Sequence, residues 1–391
     1  MQTMEVTLLG AGIAGLSAAL GLQRAGFKVR IYEQAPELGE VGAGLSLSPT
    51  AAHALTYLGL KPMLEEKAYK PDDQAVRHYK DGRVLQRVNR GKALLDAYGE
   101  RYYVIHRADL HGALAEAVRA NDPEAILVNR RCVSVTQRGR IVEVGFADGE
   151  TINADVLIGA DGSRSVVRTC LFGESSPVYT GYIAWRGLVP MDRVPPDILD
   201  PPSGLFIGPR HMVNRYPVRN GTLLNFVAFA EREAWTAEGW SIHSTVAELL
   251  REFEGWHSDV LTFMAATPPD QLFKWGMFDH EPFEHWYRGR VGLLGDAAHP
   301  ILPFLGHGAV LGIEDGVVLA RAFQAAESPE EALQRFQDAR IERASHVVRE
   351  SRKAGKEFHA ADPESYPERA RNRAADEGRG LFAYNPVTQP V

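Results

Sequence analysis

Six residues near the start of the chain, Gly10-Ala11-Gly12-Ile13-Ala14-Gly15, constrain its fold more than any other feature. They stand between a short apolar run, residues 4–9, and a stretch of helix-favouring composition, residues 14–25. A second run, residues 28–33, follows with Val29 and Ile31 as its apolar members. The order strand, turn, helix, strand is one βαβ unit. Glycines at such a turn let the backbone bend tightly and approach a pyrophosphate. The free N–H groups and positive dipole end of the helix then face that anion. Glu33 closes the second strand, where a carboxylate accepts ribose hydroxyls and repels a 2′-phosphate. The loop therefore suits FAD or NAD, not NADP. A glycine-rich turn alone does not separate a nucleotide site from an ordinary tight turn, so the rest of the chain has to decide.

The remaining composition mainly excludes. A length of 391 residues favours two domains, or one large domain with an embedded second sheet. The net charge is −7 and no basic stripe is visible, which argues against a nucleic-acid partner. Arg349, Arg352, Lys353 and Lys356 alternate with Glu350 and Glu357, the pattern of a solvated helix face. Two cysteines, Cys132 and Cys170, offer neither a disulfide framework nor a cysteine metal site. Residues 6–22 are uncharged but hold four glycines, follow Glu5, and precede the first basic residue, Arg24. That is neither a secretory leader nor a membrane span. A cytoplasmic protein without membrane attachment is expected.

Two further turns repeat the logic of the first. Gly159-Ala160-Asp161-Gly162-Ser163-Arg164-Ser165-Val166-Val167-Arg168 follows the apolar run 156–160. Gly295-Asp296-Ala297-Ala298-His299-Pro300 follows the run 290–294, and continues through Pro303-Phe304-Leu305-Gly306-His307-Gly308-Ala309 to Glu314-Asp315. Each is a buried strand ending in small residues and one acid. Asp161 and Asp296 suit sugar or ribityl hydroxyls, although aspartates also serve turns on their own account. Strands are expected at 126–128, 133–137 and 141–146, the last two joined as a hairpin near Arg138-Gly139-Arg140. Residues 179–285 are rich in Trp, Pro and Phe and carry strand-like runs at 211–216 and 223–230, with a helix near 246–253. Long helices are expected from about 308 to 323 and 329 to 356. The charged stretch after Asp362 is expected to be loosely held.

Taken together, the three turns resemble the class A flavoprotein aromatic hydroxylases, of the salicylate hydroxylase and 3-hydroxybenzoate 6-hydroxylase kind. The likeness runs from about Val6 to about Ala344 and includes Gly181-Tyr182-Ile183-Ala184-Trp185-Arg186-Gly187-Leu188 and Tyr216-Pro217-Val218-Arg219. It implies an α/β fold: a three-layer Rossmann-like FAD/NAD(P)-binding domain, an inserted, mostly antiparallel substrate sheet, and C-terminal helices. The implied division is 1–72, 105–178 and 286–360 for the FAD-binding parts, the last with the C-terminal helices. Residues 73–104 and 179–285 would form the substrate domain, and 361–391 a tail. The implied activity is an FAD-dependent monooxygenase that uses NADH or NADPH and O2 to hydroxylate a small phenolic, hydroxybenzoate-like or N-heteroaromatic ring through a flavin C4a-hydroperoxide. A monomer or homodimer is expected. The weaker alternatives are a reductase or halogenase-type flavoenzyme, or a flavin binder that hydroxylates nothing. The halogenase signature Trp-x-Trp-x-Ile-Pro is absent from the sequence.

The resemblance also assigns residues. Gly10, Gly12, Ala14 and Gly15 would hold the FAD pyrophosphate, and Glu33 its adenosine ribose. Arg107 would contact FAD, Asp161 and Gly162 would serve FAD and the passing nicotinamide, and Asp296 would bond the ribityl chain. Pro303, Gly306, Gly308 and Ala309 would lie against the flavin ring, where helix N–H groups can stabilise a reduced, anionic flavin. Tyr216 would take part in catalysis and substrate binding. His307 stands where the family commonly has glutamine; it can donate, accept and change charge, so it is a candidate to contact substrate or flavin and take part in proton transfer, the alternative being that it fills glutamine's role or points at solvent. Met212 stands four residues before Tyr216, where relatives often have a base. His211 is adjacent but faces the other way unless a bulge shifts the register. Arg186 is a candidate partner for a substrate carboxylate, or a structural ion pair. A pocket wall is expected from Trp185, Phe206, Tyr216 and Phe226. His53, His106, His111 and His299 read as structural, with no metal-ligand spacing around them.

Overall fold

In the computed structural model, residues 4–39, 43–198, 200–235, 242–375 and 380–391 are described, the side chains of 372–375 excepted. A six-stranded sheet forms the first layer. Its strands run Tyr287–Arg288, Val291–Leu293, Val156–Gly159, Glu5–Leu9, Lys28–Tyr32 and Ile126–Leu127, and all but the first are parallel. Val6, Leu8, Val156, Leu157 and Val291 have no exposure. Such strands are apolar on both faces because helices cover both sides of a parallel sheet. The helices Ile13–Arg24, Arg107–Asn121 and Gly308–Ala325 contribute to that cover.

Ile13–Arg24 and Gly308–Ala325 cross with almost no side chain between them. A Cβ on Gly316 would stand 2.6 Å from the Ala18 nitrogen, and one on Gly21 would stand 2.8 Å from the Gly316 carbonyl. This backbone contact sets the spacing of the two helices that begin at Ile13 and Gly308. A three-stranded antiparallel sheet, Cys132–Arg138, Ile141–Phe146 and Thr151–Ala154, contains the expected hairpin.

The second large sheet has eight strands in the order Ile242–His243, Leu272–Asp279, Val178–Pro190, Leu223–Glu231, His211–Val218, Gly204–Gly208, Asp73–His78 and Val84–Asn89. It is antiparallel except between Gly204–Gly208 and Asp73–His78. Strand alternation gives it two different faces. Trp185, Val213, Phe226 and Ala228 point one way, into a core with Leu249, Phe253 and Phe263 from the helices Val246–Glu252 and Ser258–Ala265. Ala184, Leu188, Met212 and Tyr216 point the other way, with Leu302, Phe304 and Val104.

The fold departs from three expectations. Trp185, Phe206 and Phe226 belong to the helix-covered core, so of the four expected wall residues only Tyr216 lies on the opposite face, in a cluster with Tyr102 and Val104. His211 is also on the helix side. The pairing His211↔Ala230 through Val218↔Leu223 is unbroken, so no bulge turns it round. Its Nε2 lies 2.9 Å from Glu252 and its ring stands edge-on to Phe253, which removes it from substrate binding. The described residues after Asp362 are not loose. Tyr366 stacks on Phe358, the helix Tyr366–Ala375 packs beside Met212, and arginines hold the backbone of residues 381–391. A charged composition concealed this, because Leu381, Phe382 and Tyr384 do the docking. Among the described residues no helix is long and apolar enough to cross a membrane.

Candidate active site

The three acid- and glycine-bearing turns leave the same end of three neighbouring strands. Leu9 pairs with Gly159, and Gly159 with Leu293. Gly10 has φ +103, and a Cβ there would stand 2.4 Å from the Ala160 carbonyl, so any side chain would push the first two turns apart. Ala14 joins the first turn to the third: a Cβ on Gly295 would stand 2.7 Å from its methyl. Gly12 caps the helix Ile13–Arg24 without a side-chain bond, and the space beside its α-carbon is open. That is a cradle for a pyrophosphate. Glu33 accepts the Ala11 N–H at 2.7 Å and the Ala35 N–H at 2.8 Å. It also lines a cleft of about 600 Å³ with Gly10, Gly12, Arg130, Asp161 and Gly162. His111 braces the loop from behind, its Nε2 being 2.7 Å from the Ala11 carbonyl. These residues fit an FAD adenosine diphosphate.

Asp161 spends its carboxylate locally. It accepts from the Ser165 hydroxyl at 2.6 Å and from the Val166 and Val167 N–H groups at 2.7 and 3.1 Å. Burial pushes its pKa up, against these bonds. Arg168, seven residues on, ties the second turn to the third. It donates to the Ser163 carbonyl at 2.5 Å and the Ala297 carbonyl at 2.9 Å.

Asp296 sits in the short turn Gly295–Ala297, ringed by protein yet with its side chain open to solvent space. Its deep position raises its pKa, while His299, Arg107 and Arg168 pull it down. Arg107 is thereby placed beside Asp296, at the start of the helix Arg107–Asn121. Beneath the turn lies a buried ionic network. Asp315 accepts from Gly295 N–H at 2.9 Å, His299 Nε2 at 2.6 Å and Arg340 Nε at 2.8 Å. Glu314 pairs with Arg340 at 2.8 Å and Arg343 at 3.2 Å. Burial alone would raise the pKa of both acids, but the arginines, with His299 for Asp315, hold each down to about 2. His299 is thus a support for the turn. The described residues hold no cluster of three or more metal-ligating side chains.

After Pro303–Leu305 the chain takes a left-handed step at Gly306 and enters the helix Gly308–Ala325. No side chain caps that helix, so the N–H groups at its start, including those of Gly308 and Ala309, are open to an anion. Gly306 lies against Ser46, to whose Cβ an added methyl would come within 3.2 Å. Ser46 hydrogen-bonds the Tyr216 hydroxyl, whose pKa burial drives far up. Beside Tyr216, Asn225 accepts the Gly44 N–H at 2.7 Å. His307 is 3% exposed, its Nδ1 lies 2.7 Å from the Leu305 carbonyl, and its ring stacks on Phe382. Burial lowers its pKa to about 4, opposed by that bond. The site thus gathers Tyr216, His307, Pro303 and Gly306. Arg186 lies one pleat away on the same sheet face, its guanidinium over Phe273 and Trp275 at 5.4 and 5.6 Å. Met212 packs against Phe304 and Phe229 in an apolar cluster and offers no polar atom.

Sequence reasoning missed Gly44, Ser46, Asn225, Arg168 and Phe382. Arg168 alone had a signal, since it closes the second motif. The others meet the site only through pairing between distant strands or through the docked end segment.

The family model described as FAD binding domain matches residues 3–351. A 3-amino-4-hydroxybenzoate 2-monooxygenase of Streptomyces platensis is 37% identical over 97% of this chain and 94% of its own length. A 6-hydroxynicotinate 3-monooxygenase of Pseudomonas fluorescens is 35% identical over 89% of this chain and 90% of its own. The crystal structure of Klebsiella pneumoniae HpxO complexed with FAD and uric acid superposes with a TM-score of 0.88 at 29% identity, covering 98% of both chains.

Proposed function

Because this chain belongs to the FAD binding domain family and is an FAD-dependent aromatic-ring monooxygenase, we propose that its substrate is a small hydroxylated aromatic carboxylate, of the hydroxybenzoate or hydroxypyridine-carboxylate class. The relatives named above act on an aminohydroxybenzoate and a hydroxynicotinate. The observation that carries the reading is the meeting of Ser46 with the buried Tyr216 and His307 around the Gly306 turn.

The chemistry supplied by bound FAD is electron transfer from NADH or NADPH to dioxygen, so that one oxygen atom enters the ring and the other leaves as water. The protein's share is holding and positioning. Gly10, Gly12, Ala14 and Gly15 would hold the pyrophosphate with the helix that starts at Ile13, and Glu33 would take the adenosine ribose. Arg107 and Asp296 would hold the ribityl chain, the Asp161–Gly162 turn would close the adenosine diphosphate cleft beside Gly10, and the N–H groups at Gly308 and Ala309 would stabilise negative charge on a reduced flavin. Arg186 binds the substrate carboxylate, with Phe273 and Trp275 shaping its approach. Tyr216 and the neutral imidazole of His307 hydrogen-bond the ring hydroxyl and orient it. Met212 leaves the other family position apolar, which puts that task on His307. The apolar cluster of Tyr102, Val104, Leu188, Tyr216 and Val218 keeps water out. The same reading makes the protein a cytoplasmic enzyme.

The test is a panel of hydroxybenzoates and hydroxypyridine carboxylates offered to the FAD-loaded protein, with NADH and oxygen consumption and product mass as readouts. A product heavier by one oxygen atom supports the reading. Reaction with phenols lacking a carboxylate, and with none that carry one, would remove the carboxylate class.

A further inference from the structure

The Leu305 carbonyl can only accept, so the His307 Nδ1 that faces it at 2.7 Å carries the proton. On a neutral imidazole Nε2 is then a bare acceptor. No donor meets that atom among the described residues, although the side chain is almost wholly buried. Leaving a buried acceptor unpaired is costly, so the site is completed by a donor from outside the chain.

The Leu305 bond anchors one side of the imidazole, and the ring of Phe382 lies against its face. It lies nearly parallel to the imidazole, at 13° and 6.1 Å between centroids. Phe382 is itself held edge-on by Tyr98 at 5.9 Å and Tyr102 at 6.4 Å, and by the Arg90 guanidinium at 5.6 Å. The backbone around it is clamped by three arginines. Arg343 donates to the Leu381 carbonyl at 2.8 Å. Arg321 donates to Pro386 at 2.8 Å and Gln389 at 2.6 Å, and Arg335 to Val391 at 3.2 Å. Arg343 also bonds Glu314, on the helix that His307 caps. Phe382 packs in the same apolar cluster as Tyr102 and Tyr216, so the clamp reaches the space assigned to the ring.

We propose that residues 380–391 form a strap in which Phe382 is a positioning residue: it holds His307 so that Nε2 accepts a hydrogen bond from a phenolic hydroxyl or ring N–H of the aromatic substrate. This rests on the reading that the aromatic ring binds beside Tyr216. A stacked ring restrains imidazole rotation through the same offset geometry that aromatic pairs favour, and a site group held by its supporting shell keeps its aim.

The experiment is a double-mutant cycle on the FAD-loaded protein with Phe382→Ala, Phe382→Tyr and His307→Gln. Phe382→Ala lowers kcat/KM for the aromatic substrate about tenfold, and Phe382→Tyr, which keeps the flat ring, restores most of it. In the His307→Gln background Phe382→Ala changes kcat/KM less than about twofold, because the ring it positions is gone. Equal losses in both backgrounds, or none in either, overturn the proposal. A second readout needs no turnover. Nitrogen NMR of labelled histidine, with His307 assigned by its absence in His307→Gln, should show a protonated Nδ1 and a bare Nε2 in the wild type and a mixture of tautomers in Phe382→Ala. Unchanged His307 signals in Phe382→Ala overturn the strap. Loosened signals combined with no oxidation of any aromatic support the strap and remove the substrate reading instead.

Discussion

Arg168 spans two turns that lie far apart in sequence, donating to the Ala297 carbonyl beside Asp296 while its own chain leaves the Asp161 turn. The bond is buried, and charged hydrogen bonds of this kind contribute about 1.5–3 kcal/mol. Arg168→Ala should therefore weaken FAD binding about 10- to 100-fold, and Arg168→Lys should recover part of the loss. Flavin fluorescence titration checks this. Undiminished affinity in a folded Arg168→Ala protein would show that the two turns hold their places without it.

The network under the Asp296 turn should govern acid stability. Glu314 and Asp315 have folded pKa values near 2, below their ordinary 4.5 and 3.8. Depressed carboxylate values stabilise the fold above the unfolded pKa, and that contribution drains away as pH falls through the window from about 4.5 to about 2. Melting temperature should drop steeply in that window. Arg340→Met leaves two buried carboxylates short of a cation and should cost about 3–5 kcal/mol at neutral pH. Thermal melts across pH test both; a flat profile below pH 4.5 would contradict them.

His307 shifts the other way from a usual pH switch. Its folded pKa is about 4 against an ordinary 6.5. The folded state therefore resists protonation, so His307 costs stability as pH falls from 6.5 toward 4. It is neutral through the physiological range. His307→Gln should raise relative stability at pH 5 and should leave the shape of the kcat/KM profile between pH 6.5 and 8 unchanged, while lowering its height about tenfold or more. An inflection near 6.5 that vanishes in His307→Gln would show the imidazole titrating in the open.

Arg186→Lys offers a substrate test. A guanidinium grips a carboxylate with two parallel bonds that an ammonium cannot copy. KM for a carboxylated aromatic should rise about tenfold, with little change for the matching phenol. Equal effects on both substrates would make Arg186 a prop of the sheet.

The fold was legible wherever one local pattern carried it. The Gly10–Gly15 turn, the buried strands before Asp161 and Asp296, and the helix after Gly308 each announce themselves within about ten residues. The substrate end was less legible because it is assembled across strands. Trp185 and Tyr216 are both aromatic residues of one sheet, and only strand alternation assigns them to opposite faces. Ser46 reaches Tyr216 through the short pair Gly44–Leu47 and Tyr103–His106, which has no strong periodicity. Phe382 follows a charged stretch that reads as a solvated tail, and nothing in its neighbours' spacing points to His307.

The most direct test of the account is the fate of isotope-labelled dioxygen in a reaction of the FAD-loaded protein with NADH and a hydroxybenzoate or hydroxypyridine carboxylate. The account predicts one labelled oxygen atom in the aromatic product for each NADH oxidised in the coupled reaction. Label recovered only as hydrogen peroxide, with the ring unchanged across the whole substrate panel, would contradict it.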